Sequence, residues 1–416
     1  MESRILKELI IEQKNEFERD DDLVKRNALD NIAEYLELPH ILIISGLRRS
    51  GKSTLLKEIY KEFFKDKLIF YFNFEDERLI NFTASDFNLL YETFIELMGK
   101  GKIFFFDEVQ NVKGWELFVR RMYDRGFKFI ITGSNSSMLS KELGTRLTGR
   151  YIGIELFPFS FTEFLSFKAK KFLDTMLTED RAIVKRHFYE YLQYGGIPEY
   201  LIYQNDLILK TLYDNILYKD IFARYGLNDE KALKELSFYL FSNYGSEISY
   251  NKLRVMLGVS INTVKNYIGF LENSYLVFSV PRYDYSVKKQ IYSPRKVYVI
   301  DTGLITITSF RFSRDLGKLL ENLVFIELRR RNCETYYHKE KYECDFIIRE
   351  YNTVTGAIQV TASLKENRER EYDGLMEALN RYDLDEGLIL TEDEEFENMY
   401  RDKKIICMPV WKWLLE

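Results

Sequence analysis

Apolar positions in the first 160 residues fall into short runs separated by stretches with helical spacing. Ile41, Leu42, Ile43 and Ile44 form one β-branched and leucine run, and residues 54–59 after it have helical character. The alternation predicts strands at 41–45, 68–74, 102–107 and 127–133, helices at 53–65, 85–99 and 114–125, and a last strand near 151–156. Strands that alternate with helices predict a parallel sheet covered on both faces. Such a sheet holds its ligand at the carboxyl ends of the strands. Residues 1 to about 40 read as mostly helical, with 17–22 a charged, solvated helix-to-loop stretch.

The pattern then changes. Residues 160–230 are helical in spacing, interrupted by Gly195-Gly196-Ile197-Pro198, a strong turn signal that also allows a hinge. They predict a small helical lid. Further on, a short helix ends at Gly258, and Ser260 caps a second helix over 261–273. Leu253, Leu257, Val259, Val264, Ile268 and Leu271 make the apolar seam, which leaves Asn262, Thr263, Lys265 and Asn266 on the outer face. This is a helix-turn-helix layout, in which the second helix enters a major groove. Residues 275–280 and 291–300 would form a wing with Lys288 and Lys289 at its tip. The bland alternative is a helix pair used for packing or subunit contacts. The last hundred residues mix a helix at 321–331 with adjacent strands at 343–348 and 356–360.

Composition narrows the class. The 416 residues are 46% hydrophobic and 30% charged, enough for two to four compact units. No run of about eighteen apolar residues occurs, so no membrane span is expected. The start of the chain lacks a signal peptide's basic-then-apolar layout, and a cytoplasmic protein is expected. Cys333, Cys344 and Cys407 show no C-x-x-C spacing, which predicts neither a disulfide framework nor a zinc site. The formal charge of −5 argues against a wholly basic nucleic-acid binder. Between 250 and 296, however, eight Lys and Arg face only Glu272 and Asp284, the electrostatic footprint that DNA contact requires.

The chemistry concentrates at residues 46–53, which read Gly-Leu-Arg-Arg-Ser-Gly-Lys-Ser, the G-x-x-x-x-G-K-[ST] phosphate loop. Gly46 and Gly51 let the loop curl so that its amides, with Arg49 and Ser50 between them, face an anion. Lys52 reaches β- and γ-phosphates, Ser53 offers a hydroxyl to a metal, and Thr54 opens a helix whose positive dipole end faces the phosphates. A nucleoside triphosphate with Mg²⁺ is the expected ligand. Asp107 and Glu108 end the strand Ile103-Phe104-Phe105-Phe106, where Asp107 is placed to hold Mg²⁺ and Glu108 to polarise an attacking water. Ser134 and Asn135, at the tip of the next strand, read equally well as water-orienting groups or as plain turn residues.

With Phe106-Asp107-Glu108-Val109-Gln110, Trp115, Ile131-Thr132-Gly133-Ser134-Asn135, Leu147-Thr148-Gly149-Arg150-Tyr151 and 156–164, the chain resembles prokaryotic and archaeal AAA+-type ATPases. In that family (AAA_14/DUF4143-like) a C-terminal domain is related to restriction-endonuclease folds. The resemblance implies an ATPase in which Lys52 and Ser53 bind phosphate and Mg²⁺, Asp107 binds Mg²⁺, Glu108 is the base and Asn135 a sensor. It also implies an arginine finger, Arg150 or else Arg146, reaching a neighbouring subunit, hence a homo-oligomer. Restriction-type nucleases use a helix Glu, a strand Asp, then Glu-x-Lys. Here those positions are Glu321, Asp345, Gln359 and Thr361, so the lysine is missing and an inert nuclease-like fold is expected.

The expected fold class is α/β: a P-loop NTPase parallel sheet with a helical lid, then a winged helix and a small α/β nuclease-like domain. The boundaries are 1–160, 161–230, 231–310 and 311–416. Expected cofactors and partners are ATP, Mg²⁺, duplex DNA and further copies of the chain. The rival function is a nucleotide-dependent switch or scaffold that holds a protein partner, hydrolyses slowly and cuts no DNA.

Overall fold

The computed structural model describes residues 1–19, 23–136, 147, 149–168, 178–309 and 315–416. These fall into two compact units, Met1–Phe157 and Pro158–Glu416. The expected boundaries at 230 and 310 both lie inside the second unit.

The first unit opens with helices α1 (Ser3–Phe17) and α2 (Ala28–Leu36). Strands β1 (Ile41–Gly46), β2 (Ile69–Asn73), β3 (Ile103–Asp107), β4 (Lys128–Gly133) and β5 (Tyr151–Leu156) follow, with helices α3 (Lys52–Ile59), α4 (Phe87–Met98) and α5 (Trp115–Tyr123) between them. The strands form one sheet in the order β2-β3-β4-β1-β5, every pairing parallel. Because successive strand side chains point to opposite faces, the run Phe104-Phe105-Phe106 serves both. Phe104 and Phe106 join a core with Phe70, Phe72, Phe118 and Phe129, whereas Phe105 packs with Leu42, Ile44, Leu55 and Ile130. Both faces are therefore apolar, which is why these strands read as continuous hydrophobic runs. The sheet agrees with a P-loop NTPase architecture.

In the second unit come helices α6 (Phe161–Phe167), α7 (Thr178–Tyr194), α8 (Pro198–Tyr203), α9 (Asp206–Asn215) and α10 (Glu230–Ser242). The Gly195–Gly196 bend is pinned from two sides, which makes it a fixed turn. Gly196 N–H donates to Asp301 at 2.7 Å, and Phe159 N–H donates to the Gly196 carbonyl at 2.8 Å. After α10 the order is β6 (Ser246–Ile248), α11 (Tyr250–Leu257), α12 (Ile261–Asn273), β7 (Val277–Pro281), α13 (Val287–Tyr292) and β8 (Arg295–Val299). Ser260 accepts the N–H of Thr263 at 3.0 Å and caps α12. The strands β6-β8-β7 form a three-stranded antiparallel sheet.

Helices α14 (Thr302–Thr308) and α15 (Leu316–Arg330) lead into a six-stranded mixed sheet. Its order is β13-β14-β12-β11-β10-β9, built from β9 (Glu334–Lys339), β10 (Glu343–Glu350), β11 (Thr353–Val360), β12 (Glu386–Thr391), β13 (Phe396–Tyr400) and β14 (Lys403–Pro409). Helix α16 (Leu364–Tyr382) connects the parallel pair β11 and β12, and a short α17 (Val410–Trp413) ends the unit. The three cysteines are free. Among the described residues, no helix is long and apolar enough to cross a membrane.

Candidate nucleotide site

Strand β1 delivers the chain into the phosphate loop, and α3 begins at Lys52. The two glycines are required by space. A Cβ at Gly46 would lie 2.1 Å from the Leu156 carbonyl oxygen, and Gly51 is left-handed at φ 96° with a Cβ position 2.9 Å from Arg26 Nη1. Only glycine meets both conditions without strain. Arg49 is also left-handed, at φ 64°. Arg26, buried in the segment ahead of α2, holds the loop from behind: its guanidinium donates to the Ser50 carbonyl at 2.8 Å and the Phe157 carbonyl at 2.7 Å.

The buried ammonium of Lys52 rests on the loop's own carbonyls, Leu47 at 3.1 Å and Gly46 at 3.4 Å, and lies 3.3 Å from Glu108 Oε1. Asp107 closes β3 in a fully buried position. It accepts hydrogen bonds from the Thr132 hydroxyl and, at 3.4 Å, from Tyr71. Glu108 follows at φ 51°, with its N–H bonded to Thr132 Oγ1 at 3.0 Å. The side-chain amide of Gln110 donates to Glu108 and reaches Ser134 Oγ at 3.3 Å. Asn135 is buried just beyond β4.

These surroundings separate two adjacent carboxylates. Burial first, then the negative charge of Glu108, pushes Asp107 up to about 6, against the opposing effects of Thr132, Ser53 and Lys52. Burial would raise Glu108 too, but Lys52, Gln110 and Arg48 outweigh it and hold it below the usual range. One acid wants a cation, and the other stays an anion able to accept a proton. Beside them lies a cleft of about 450 Å³ lined by Ser53, Thr54, Lys57, Tyr71, Asn73 and Asp107. The donor set fits a metal-bound polyphosphate. The Lys52 ammonium rests on acceptors that phosphate oxygens would replace, and Ser53 hydrogen-bonds Asp107.

Arg150 is not brought to this end of the sheet. Its carbonyl accepts the N–H of Ile41, where β1 starts, and its guanidinium is 3.1 Å from Asp124 and over the Tyr123 ring. Arg146 lies outside the described residues. Arg26, Tyr71, Gln110 and Thr132 went unnoticed in the sequence reading. Gln110 and Thr132 stand in segments already singled out, without these roles, while Arg26 and Tyr71 needed the fold.

In the second unit, Asn262, Lys265 and Asn266 are exposed on α12, whereas Thr263 is half-buried and bonded to Ser260. Lys288 and Lys289 are exposed on α13, with Lys289 3.7 Å from Asp284. The wing tip expected from the sequence is thus a helical turn. The basic count between 250 and 296 needs one correction, because Lys296 is only 1% exposed and adds nothing to a surface. Its ammonium instead meets Glu321 and Asp345, two of the residues matched to the nuclease pattern. The third, Gln359, donates to Glu371 at 2.6 Å and accepts the N–H of Asp345 at 3.3 Å. Thr361 supplies no lysine, but β8 does.

A family model described as an AAA domain matches residues 38–165, and one described as a domain of unknown function (DUF8612) matches 185–314. The uncharacterized protein MJ1544 of Methanocaldococcus jannaschii is 37% identical over 94% of this chain and 92% of its own length. An uncharacterized protein of Haemophilus influenzae is 31% identical over 86% of this chain and 91% of its own. Among solved structures, the STAND protein PH0952 of Pyrococcus horikoshii, with a tetratricopeptide repeat sensor, overlaps 75% of this chain. There the chain spans 46% of the other's length at 17% identity and a TM-score of 0.29, too loose an overlap to carry any argument. The phosphate loop, the parallel sheet and these full-length matches lead to one statement: the chain belongs to the family of MJ1544 and its Haemophilus relative and carries a P-loop domain of the AAA type.

Proposed function

We propose that this chain binds ATP with Mg²⁺, hydrolyses it, and acts on duplex DNA through a winged helix and a nuclease-like module that does not cut. The single observation behind the hydrolytic reading is the arrangement of Lys52, Asp107 and Glu108, buried together beside an open cleft with opposite shifts on the two acids. Ser53 and Asp107 would hold Mg²⁺, which supplies charge neutralisation across the β- and γ-phosphates when bound. Lys52 leaves its loop carbonyls for the phosphates, and that movement releases Glu108 from its ion pair. Glu108, kept in line by Gln110, takes the proton of the attacking water, and Asn135 orients that water. Arg150 acts as a finger toward a second copy of the chain.

The test is direct. Lys52→Ala should abolish nucleotide binding or turnover, and Glu108→Gln should bind ATP yet turn over poorly. Unimpaired hydrolysis by Glu108→Gln removes Glu108 from its role.

The DNA reading draws on the order α10-β6-α11-α12-β7-α13-β8 and the exposed Lys252, Arg254, Lys265, Lys288 and Lys289. A specific observation favours the scaffold alternative: Val255, Met256, Val287, Ile291 and Tyr292 are exposed among those same lysines. Apolar residues so placed suit a protein partner. Duplex binding at low salt that weakens on charge removal at Lys288 and Lys289 supports DNA, and no binding at low salt supports the scaffold.

A further inference from the structure

Lys296 sits on β8, and three carboxylates from two other elements converge on its ammonium. Glu343 lies at 2.7 Å, Glu321 at 2.8 Å and Asp345 at 2.9 Å. An ammonium has three N–H donors, and here all three are spent. The acids are fixed in turn. Tyr298 donates to the same oxygen of Glu321 at 2.6 Å, and the other oxygen of Asp345 accepts the N–H of Val360 at 3.0 Å. Glu343 is shared with Lys339 at 3.0 Å. The lysine is 1% exposed, with Glu321 and Asp345 each 6% exposed, whereas the Glu343 side chain, at 30%, forms the solvent-facing edge of the cluster.

We propose that Lys296 is the built-in cation of this carboxylate centre, standing where a divalent metal ion would otherwise be bound, and that it closes the centre to metal permanently. The inference is independent of the nucleotide reading, since every residue in it belongs to the second unit. Three carboxylate oxygens around one point at under 3 Å are what a hard cation requires, and hard cations take oxygen ligands of this kind. An ion arriving there would meet an ammonium already held by all three acids. A lysine that activates water must touch water, and this one has no free donor left. The same contacts tie β8 to α15 and β10, so the cation that excludes metal also fastens the small three-stranded sheet to the six-stranded one.

The experiment uses the full chain carrying Asp107→Asn, so that the phosphate-loop carboxylate does not report, and titrates it with Mn²⁺ under paramagnetic resonance and thermal melting. The expected result is no bound Mn²⁺ in this parent and a melting temperature unmoved by Mn²⁺ or by EDTA. Adding Lys296→Ala should lower the melting temperature and create one Mn²⁺ site per chain. That site should recover several degrees and vanish when Asp345→Asn is added. Lys296→Ser, which leaves the space around the acids open and adds a hydroxyl, replaces the alanine variant if that one does not fold. Mn²⁺ bound by the parent in an Asp345-dependent way overturns the proposal. So does Asp345-dependent cleavage of plasmid DNA by the parent, or a folded Lys296 variant that gains no Mn²⁺.

Discussion

Lys52 and Lys296 are both buried lysines that face acids, and they are built for opposite ends. Lys52 stands 3.3 Å from one oxygen of Glu108, with its remaining contacts to loop carbonyls at 3.1 and 3.4 Å, and its chain neighbour Ser53 lines a cleft of about 450 Å³. Lys296 has three carboxylates within 2.9 Å and almost no exposure. Loose, replaceable contacts suit a charge that must be handed to an incoming anion. Saturated contacts suit a charge that must never leave. A buried lysine among acids is therefore not in itself a mark of catalysis; what distinguishes the two is what their donors meet, two neutral loop carbonyls and one acid at Lys52 against three carboxylates at Lys296.

Substitutions can break this contrast, and the largest effect belongs to the acid beside Lys52. Glu108→Gln should slow ATP turnover by about 10²–10⁴-fold, the usual contribution of a positioned base, while equilibrium binding of ATP persists. Steady-state phosphate release against nucleotide titration reads both. Lys296→Met should act on stability instead. Removing one partner of a buried charge group costs about 3–5 kcal/mol, measurable as a lower urea midpoint of the second unit. A Lys296→Met protein as stable as the parent would mean that the carboxylates simply take up protons.

A smaller effect concerns Asp301, another buried acid, which is met by backbone N–H donors. Burial pushes it from 3.8 up to about 6, against the hydrogen bonds of Gly196, Leu304 and Gly303. The folded chain then keeps a proton that the unfolded chain has already released. Its contribution to stability falls as pH rises from about 4 to about 6, by at most roughly 3 kcal/mol, and is flat above that. Asp301→Asn should shrink the difference between urea midpoints at the two ends of that window; an unchanged difference would assign the pH dependence to other groups. The smallest effect is expected at the wing. Replacing Lys288 and Lys289 by Gln should reduce the salt dependence of duplex binding by about one to two units in the log–log slope, because each phosphate contact contributes slightly under one.

Local pattern carried most of the first unit. Strands at 41–45, 102–107 and 127–133 were readable because both sheet faces are covered, and each strand matches its expected span to within one residue. The phosphate loop was readable because its chemistry lies in eight consecutive residues. Helix 261–273 was readable from its serine cap and its apolar seam. What escaped was long-range. Charge along the chain places Lys296 on a basic surface, although its neighbours Val297, Tyr298 and Val299 mark a buried strand. It recorded the missing lysine at Thr361 without finding the one on β8, 25 and 49 residues from its partners Glu321 and Asp345.

The amino-acid sequence alone determined what depends on near neighbours: the run of strands and helices, the glycine loop that can curl around phosphates, and the acid pair ending a strand. Tertiary structure alone decided which charges meet. It set Arg26 behind the loop, Gln110 on Glu108, Arg150 at the far end of the sheet, and Lys296 among three acids. The physical reason is that the cost of burying a charge depends on whether another charge lies within about 3–4 Å, and distance in space is not written in distance along the chain.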